Sequence, residues 1–141
     1  MRKVRSTAGI RKYHWDWEEF KYLVSVLRKA NNFPDILNLF IDLHSPKEIA
    51  EIIRRVIIAS YLIEELSYDK ISELTGASRN TIAKINQKMW RKKAIIEQMI
   101  NKAGTYNQFL AKSHDERDTL SRIIDRTIAR RDIFGMFIKK R

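Results

Sequence analysis

This sequence predicts an all-α fold, on three observations. Apolar residues recur at three- and four-residue spacing along most of the chain. Strand-type alternation is scarce. Only four Gly and two Pro stand among 141 residues, which leaves few places where a helix must stop. The length suits one domain with short arms. With 44% apolar and 32% charged residues, the chain can bury a core and keep a solvated surface.

Residues 1–12 have no periodic apolar face and carry five basic side chains, the pattern of a mobile arm. From Trp15 to Arg28, residues Trp17, Phe20, Leu23, Val24 and Leu27 fall on one helical face. Packing of Trp17 against Phe20 and Tyr22 is the main expectation for the aromatics, with stacking of Trp15 and Trp17 on bases as the other. Asn31 and Asn32 end that helix, and Pro34 opens a short apolar one running to Leu43.

Ser45-Pro46-Lys47-Glu48 is a helix start with a capping serine, Pro in the first turn and a Glu that returns a bond to the cap. The helix is expected to reach about Leu66, with Ile49, Ile52, Ile53, Val56, Ile57 and Leu62 inward. Ile58, Tyr61 and Ile63 widen its apolar coverage beyond one stripe, as in a helix shared with another chain. Two short helices follow, Tyr68–Leu74 and Ser78–Trp90, around Thr75-Gly76-Ala77. A further helix covers Lys92–Lys102, and residues 105–112 read as a connection. Ser113-His114-Asp115-Glu116 is a second capping box, opening a helix with Leu120, Ile123, Ile124, Thr127 and Ile128 in register and an Asp118–Arg122 pair on its surface.

The net charge of +11 is unevenly spread. Residues 1–30 carry +5, residues 31–78 carry −4, residues 79–102 carry +6, and residues 117–141 carry +5. The densest positive block begins at the second of the two short helices. Basic blocks favour a polyanion, because each neutralised phosphate releases counterions.

The chemistry of the two short helices fits a helix-turn-helix at about residues 67–90. Ser67 and Ser78 can cap the two helices, and Gly76 stands where a left-handed backbone is required. Ile71, Leu74, Ile82 and Ile85 point inward. The candidate DNA-contacting set is Tyr68, Ser78, Arg79, Asn80, Thr81, Ala83, Lys84, Asn86, Gln87, Lys88, Arg91 and Lys92, with Lys93 extending the basic run. Asn can bridge adenine, Arg can bridge guanine or grip phosphate, and Thr can meet a thymine methyl or a phosphate.

The stretches Leu43-His44-Ser45-Pro46-Lys47-Glu48 and Leu66-Ser67-Tyr68-Asp69-Lys70-Ile71-Ser72-Glu73-Leu74-Thr75-Gly76-Ala77-Ser78-Arg79-Asn80-Thr81-Ile82-Ala83-Lys84-Ile85-Asn86 resemble the Trp repressor family, over about residues 33–92. The likeness is closer to the family's uncharacterised bacterial branch than to its tryptophan-sensing member. It implies an intertwined helical homodimer with an extra C-terminal helix here, bound to double-stranded DNA with one recognition helix per half-site. Of the two arginines that sandwich tryptophan in the sensing repressor, Arg55 matches the first, but the second is Lys84, which lacks a planar stacking surface. The glycine that follows becomes Ile85, which is expected to fill the ligand's space. DNA binding without a tryptophan co-repressor is therefore expected.

The domain organisation expected is a basic arm at 1–12, a helical DNA-binding domain at 13–103, and a connection plus basic helix at 104–141. Arg117, Arg122, Arg126, Arg130 and Arg131 on that last helix either face solvent over a dimer or meet flanking phosphate. With no Cys, scattered His14, His44 and His114, and no nucleophile–base pair, neither a metal site, a cofactor nor catalysis is expected. No run of residues approaches a membrane span, so a cytoplasmic, nucleoid-associated protein is expected. The function expected is sequence-specific transcription regulation, by repression at an operator. Two alternatives stay open: the DNA-targeting module of a mobile-element or replication protein, and a helical protein binding an acidic partner or membrane surface.

Overall fold

A computed structural model describes residues 15–92, 94–112 and 114–128. Every regular element among them is an α-helix: α1 (Trp17–Leu27), α2 (Phe33–Leu43), α3 (Pro46–Ile63), α4 (Tyr68–Thr75), α5 (Arg79–Met89), α6 (Ile96–Ala103), α7 (Tyr106–Ala111) and α8 (His114–Ile128). The chain divides into two units, residues 1–40 and 41–141. The basic arm, Lys93, the Ser113–Glu116 capping box, the side chains of Arg117 and Asp118, and Arg130, Arg131 and the rest of the tail lie outside the described residues.

In the first unit, α1 begins at a capping box. Asp16 Oδ1 accepts from the Glu19 amide at 2.9 Å, and Glu19 Oε2 accepts from the Asp16 amide at 2.9 Å. Trp15 and Trp17 both stack on Phe20, with ring centroids 5.1 and 5.6 Å apart. Tyr22 does not join them and is exposed. It lies two residues from Phe20, about 200° round the helix, so it cannot share that face. No residue of α1 is buried. Asn32 Oδ1 accepts from the Asp35 amide at 2.9 Å, which places the start of α2 just before Pro34.

The second unit is organised around α3. Its start follows the sequence closely: Ser45 Oγ accepts from the Glu48 amide, and Glu48 Oε2 accepts from the Ser45 amide at 2.7 Å and from its hydroxyl at 2.8 Å. The bonds from Ser45 hold the Glu48 carboxyl below its ordinary pKa. Its end is earlier than the apolar pattern suggests. The amides of Glu65 and Leu66 donate back to the carbonyls of Leu62 and Tyr61, the paired bonds of a Schellman motif. Glu65 takes the left-handed backbone, at φ 61°, that such an ending needs.

Around α3, α4 and α5 close over one apolar cluster. Ile58, Ile71 and Ile82 are fully buried there, with Tyr61 and Ala77 beside them. Burial of each isoleucine contributes about 1.5–3 kcal/mol. A second cluster joins Ala59 of α3, Met89 of α5 and Ile100 of α6, where the small Ala59 lets both larger side chains approach. Burial raises the Tyr61 hydroxyl pKa first of all, and the neighbouring Tyr106 and Glu64 raise it further.

Further expectations are corrected, among them the helix expected from Lys92, which starts only at Ile96. Ile53 and Val56 are exposed, at 54% and 42%, because the neighbours of α3 cover the turn Ile58–Tyr61 near its end on all sides and leave the turns before it less covered. Leu74 is 49% exposed, at the edge of the face that buries Ile71. Residues 105–112 are not a plain connection, since they contain α7. Thr105 and Gln108 form a capping box, the Thr-x-x-Gln signal that marks such a start. Ser60 Oγ accepts from the Tyr106 amide at 2.6 Å, Glu64 Oε2 accepts from Asn107 Nδ2 at 2.6 Å, and the Tyr61 and Tyr106 rings meet edge to face. These contacts dock α7 on α3.

Candidate nucleic-acid interface

The turn between α4 and α5 is built by local chemistry. Ser67 Oγ accepts from the Lys70 amide and Ser78 Oγ from the Thr81 amide, at 3.2 and 3.1 Å, so each helix starts on a serine cap. Gly76 ends α4 at φ 70°, its amide donating to the Ser72 carbonyl at 2.8 Å. A Cβ there would meet nothing within 4 Å, so glycine is required for backbone conformation and not for space. The Thr75 hydroxyl donates to the Ile71 carbonyl and accepts from the Ala77 amide, stitching the turn from inside. Ala77 and Ile82 are then buried beneath it.

This scaffold sorts the candidate residues into two groups. Arg79, Asn80, Thr81, Lys84, Gln87 and Lys88 are exposed along α5, and Arg91 and Lys92 continue beyond it. No Asp or Glu occurs between residues 79 and 96, so α5 itself contributes only basic or neutral side chains. Asn80, Lys84, Gln87 and Lys88 hold no side-chain hydrogen bond or ion pair to another described residue and can meet an external partner.

Other candidates are engaged or partly covered within the protein, the exposed Arg79 and Thr81 among them. Ser78 is occupied as a cap, and its hydroxyl lies 3.0 Å from that of Thr81. Arg79 Nη1 donates to Asp69 Oδ1 across the turn. Tyr68, Ala83 and Asn86 are half-buried. Asn86 Nδ2 donates to the Tyr68 hydroxyl at 2.9 Å, and Trp90 Nε1 donates to Asn86 Oδ1 at 2.7 Å. The sequence reading missed Asp69 and Trp90. Trp90 stands four residues after Asn86, a spacing that could have revealed it. Asp69 and Arg79 are ten residues apart on different helices, and no sequence periodicity joins them.

Arg55 of α3 and Lys84 of α5 do come together, on an open cavity of about 480 Å³ that Lys88 also lines. Its apolar walls include Val56, Ile85 and Met89. Ile85 was expected to fill this space. It forms one side instead, because α5 places it half-buried between α3 and α6. Among the described residues, no group of His, Asp and Glu could hold a metal ion, and no helix is long and apolar enough to cross a membrane.

The Trp repressor family model, described as Trp repressor protein, matches residues 18–93. The chain belongs to the Trp repressor family. Comparison with curated proteins and with solved structures returned no match. The Trp repressor family is one of helix-turn-helix DNA-binding regulators rather than enzymes. The match takes in α1 to α5, and with them the whole helix-turn-helix, and stops before α6. The docking of α7 on Ser60 and Glu64 therefore adds to the matched region a segment that the family model does not cover.

Proposed function

We propose that this Trp repressor family protein is a homodimeric, sequence-specific transcription regulator that reads the major groove with α5 and represses by occupying an operator. The observation that carries the reading is the construction of α5. Ile82 is fully buried on one side while Asn80, Lys84 and Gln87 are exposed on the other and Arg79 is exposed at the start of the helix, within a basic block and behind a Gly76 turn. Arg79 and Asn80 sit in the first turn, where recognition helices reach base edges. Gln87 extends the base-reading row, and Lys84, Lys88, Arg91 and Lys92 supply phosphate contacts.

A second copy of the chain accounts for the apolar surface left uncovered. Trp17, Leu23 and Leu27 on α1 and Ile53 and Val56 on α3 are all exposed. An apolar cavity of about 310 Å³, lined by Val56, Met99 and Phe109 among others, lies between α3, α6 and α7. Patches of this kind mark contact surfaces. A two-fold dimer presents one α5 to each half-site of a two-fold operator.

Tryptophan is not the trigger. Lys84 offers a point charge where stacking on an indole needs a planar group.

Selection from a random DNA pool tests the reading. The expected result is a palindromic consensus, and replacement of Arg79, Asn80 and Thr81 by Ala is expected to erase it while salt-dependent binding to random duplex persists. A triple variant with an unchanged consensus counts against base reading by α5. Calorimetry is expected to show no saturable micromolar tryptophan binding, and such binding would overturn the co-repressor claim.

A further inference from the structure

The ion pair between Asp69 and Arg79 joins the first turn of α4 to the first residue of α5. Its side chains are 77% and 66% exposed. Exposed pairs add little to stability, so the fold does not depend on this one. A carboxylate here also opposes the approach of a polyanion. On α4 the other carboxylate near the turn, Glu73, is neutralised by Lys70 on its own helix. Asp69 instead reaches across to the recognition helix, in a stretch that holds no acid of its own.

What the pair supplies is geometry. A guanidinium carries five N–H donors in a planar fork. With Nη1 drawn to Asp69 Oδ1, the orientations open to the plane are restricted, and the other donors remain for an outside acceptor. A long cation without such a partner swings to the nearest phosphate, and one with its plane fixed can set two parallel donors against O6 and N7 of guanine. Asp69 also brings an acceptor of the kind that takes a hydrogen bond from the amino group of cytosine.

We propose that Asp69 is a specificity-determining residue, which positions Arg79 to read one guanine in each half-site. The proposal rests on the DNA-reading function above and deepens it.

The test compares the full-length protein with Asp69→Asn, Arg79→Ala, Arg79→Lys and the Asp69→Asn/Arg79→Ala double variant. Each is taken through selection from random DNA and then titrated with duplexes carrying each base at the selected position. The wild type is expected to select guanine at one position per half-site. Asp69→Asn is expected to reduce that preference about tenfold while binding to random duplex holds or strengthens. Arg79→Lys loses the preference with Asp69 intact, because lysine has no fork. The double variant loses no more than Arg79→Ala, since the two residues act as a unit. All variants are expected to melt with the wild type, as both side chains are exposed.

Asp69→Asn with its guanine preference intact, while Arg79→Ala loses it, overturns the role of Asp69 and leaves DNA reading in place. A guanine preference that survives Arg79→Ala overturns the assignment of the reader. A wild type that binds DNA with no base preference overturns the DNA-reading function, and this proposal with it.

Discussion

Asn86 on α5 is held between two aromatic side chains, donating from Nδ2 to the Tyr68 hydroxyl at 2.9 Å and accepting at Oδ1 from Trp90 Nε1 at 2.7 Å. Indole nitrogen is only a donor, which fixes the orientation of the amide. The amino end then faces Tyr68, whose hydroxyl accepts and keeps its own proton for a further acceptor. Asn86 thus braces α5 against α4, and its amide is spent inside the protein. Trp90→Phe removes one bond of this brace and is expected to cost about 1 kcal/mol in denaturant unfolding. It should weaken DNA binding without altering the selected consensus, and a changed consensus would mean that Trp90 or Asn86 reads bases directly.

Two left-handed residues make opposite predictions. Gly76→Ala places a Cβ on a backbone at φ 70° and is expected to destabilise by about 1 kcal/mol, entirely from conformation, because the site has room. Glu65→Gly relieves the same strain at φ 61° and is expected to raise stability by a few tenths to about 1 kcal/mol. Thermal melts of the two variants check the signs.

Buried and exposed residues separate cleanly on α5. Ile82→Ala empties a fully buried position and is expected to cost about 2–5 kcal/mol. Asn80→Ala, two residues away on the exposed side, should stay within about 0.5 kcal/mol of the wild type while shifting base preference. Equal destabilisation by both would contradict this division of the helix.

Tyr61 predicts an alkaline limit. Its folded pKa is raised by burial, Tyr106 and Glu64, whereas in the unfolded chain it returns to about 10. The stabilisation tied to its neutral hydroxyl is therefore complete below that value and is lost as pH rises through the folded pKa. Absorbance titration at high pH should show one late-ionising tyrosine coupled to unfolding, and Tyr61→Phe should remove that phase.

On the proposed function, the basic residues at and beyond the end of α5 predict the salt response. Replacing Lys88 and Arg91 by Ala is expected to flatten the plot of log affinity against log salt by about 0.9 for each phosphate no longer neutralised. The base consensus should not change. An unaltered slope would show that these side chains do not meet phosphate.

Much of this architecture is legible in the chain itself. The Ser45–Glu48 capping box, the Ser67 and Ser78 caps and the Gly76 stop are written in neighbouring residues, because caps and turns act over three or four positions. The end of α3 is less legible. Its Schellman motif rests on Glu65, a residue type that rarely marks one. α7 is signalled by Thr105 and Gln108, but it is too short for apolar periodicity to show.

Local chemistry in the chain dictates the helices, the tight turn, the basic block and the family they belong to, since each depends on residues close together in sequence. Pairings between helices were decided only in three dimensions. The part of α3 that its neighbours cover, the Ser60 seat for α7, the Tyr68–Asn86–Trp90 brace and the Asp69–Arg79 pair all depend on how the helices pack. An apolar stripe as broad and long as that of α3 does not say which of its turns will be covered, and packing decides. α5 is legible in the sequence; the carboxylate that pairs with its first arginine is set by the fold.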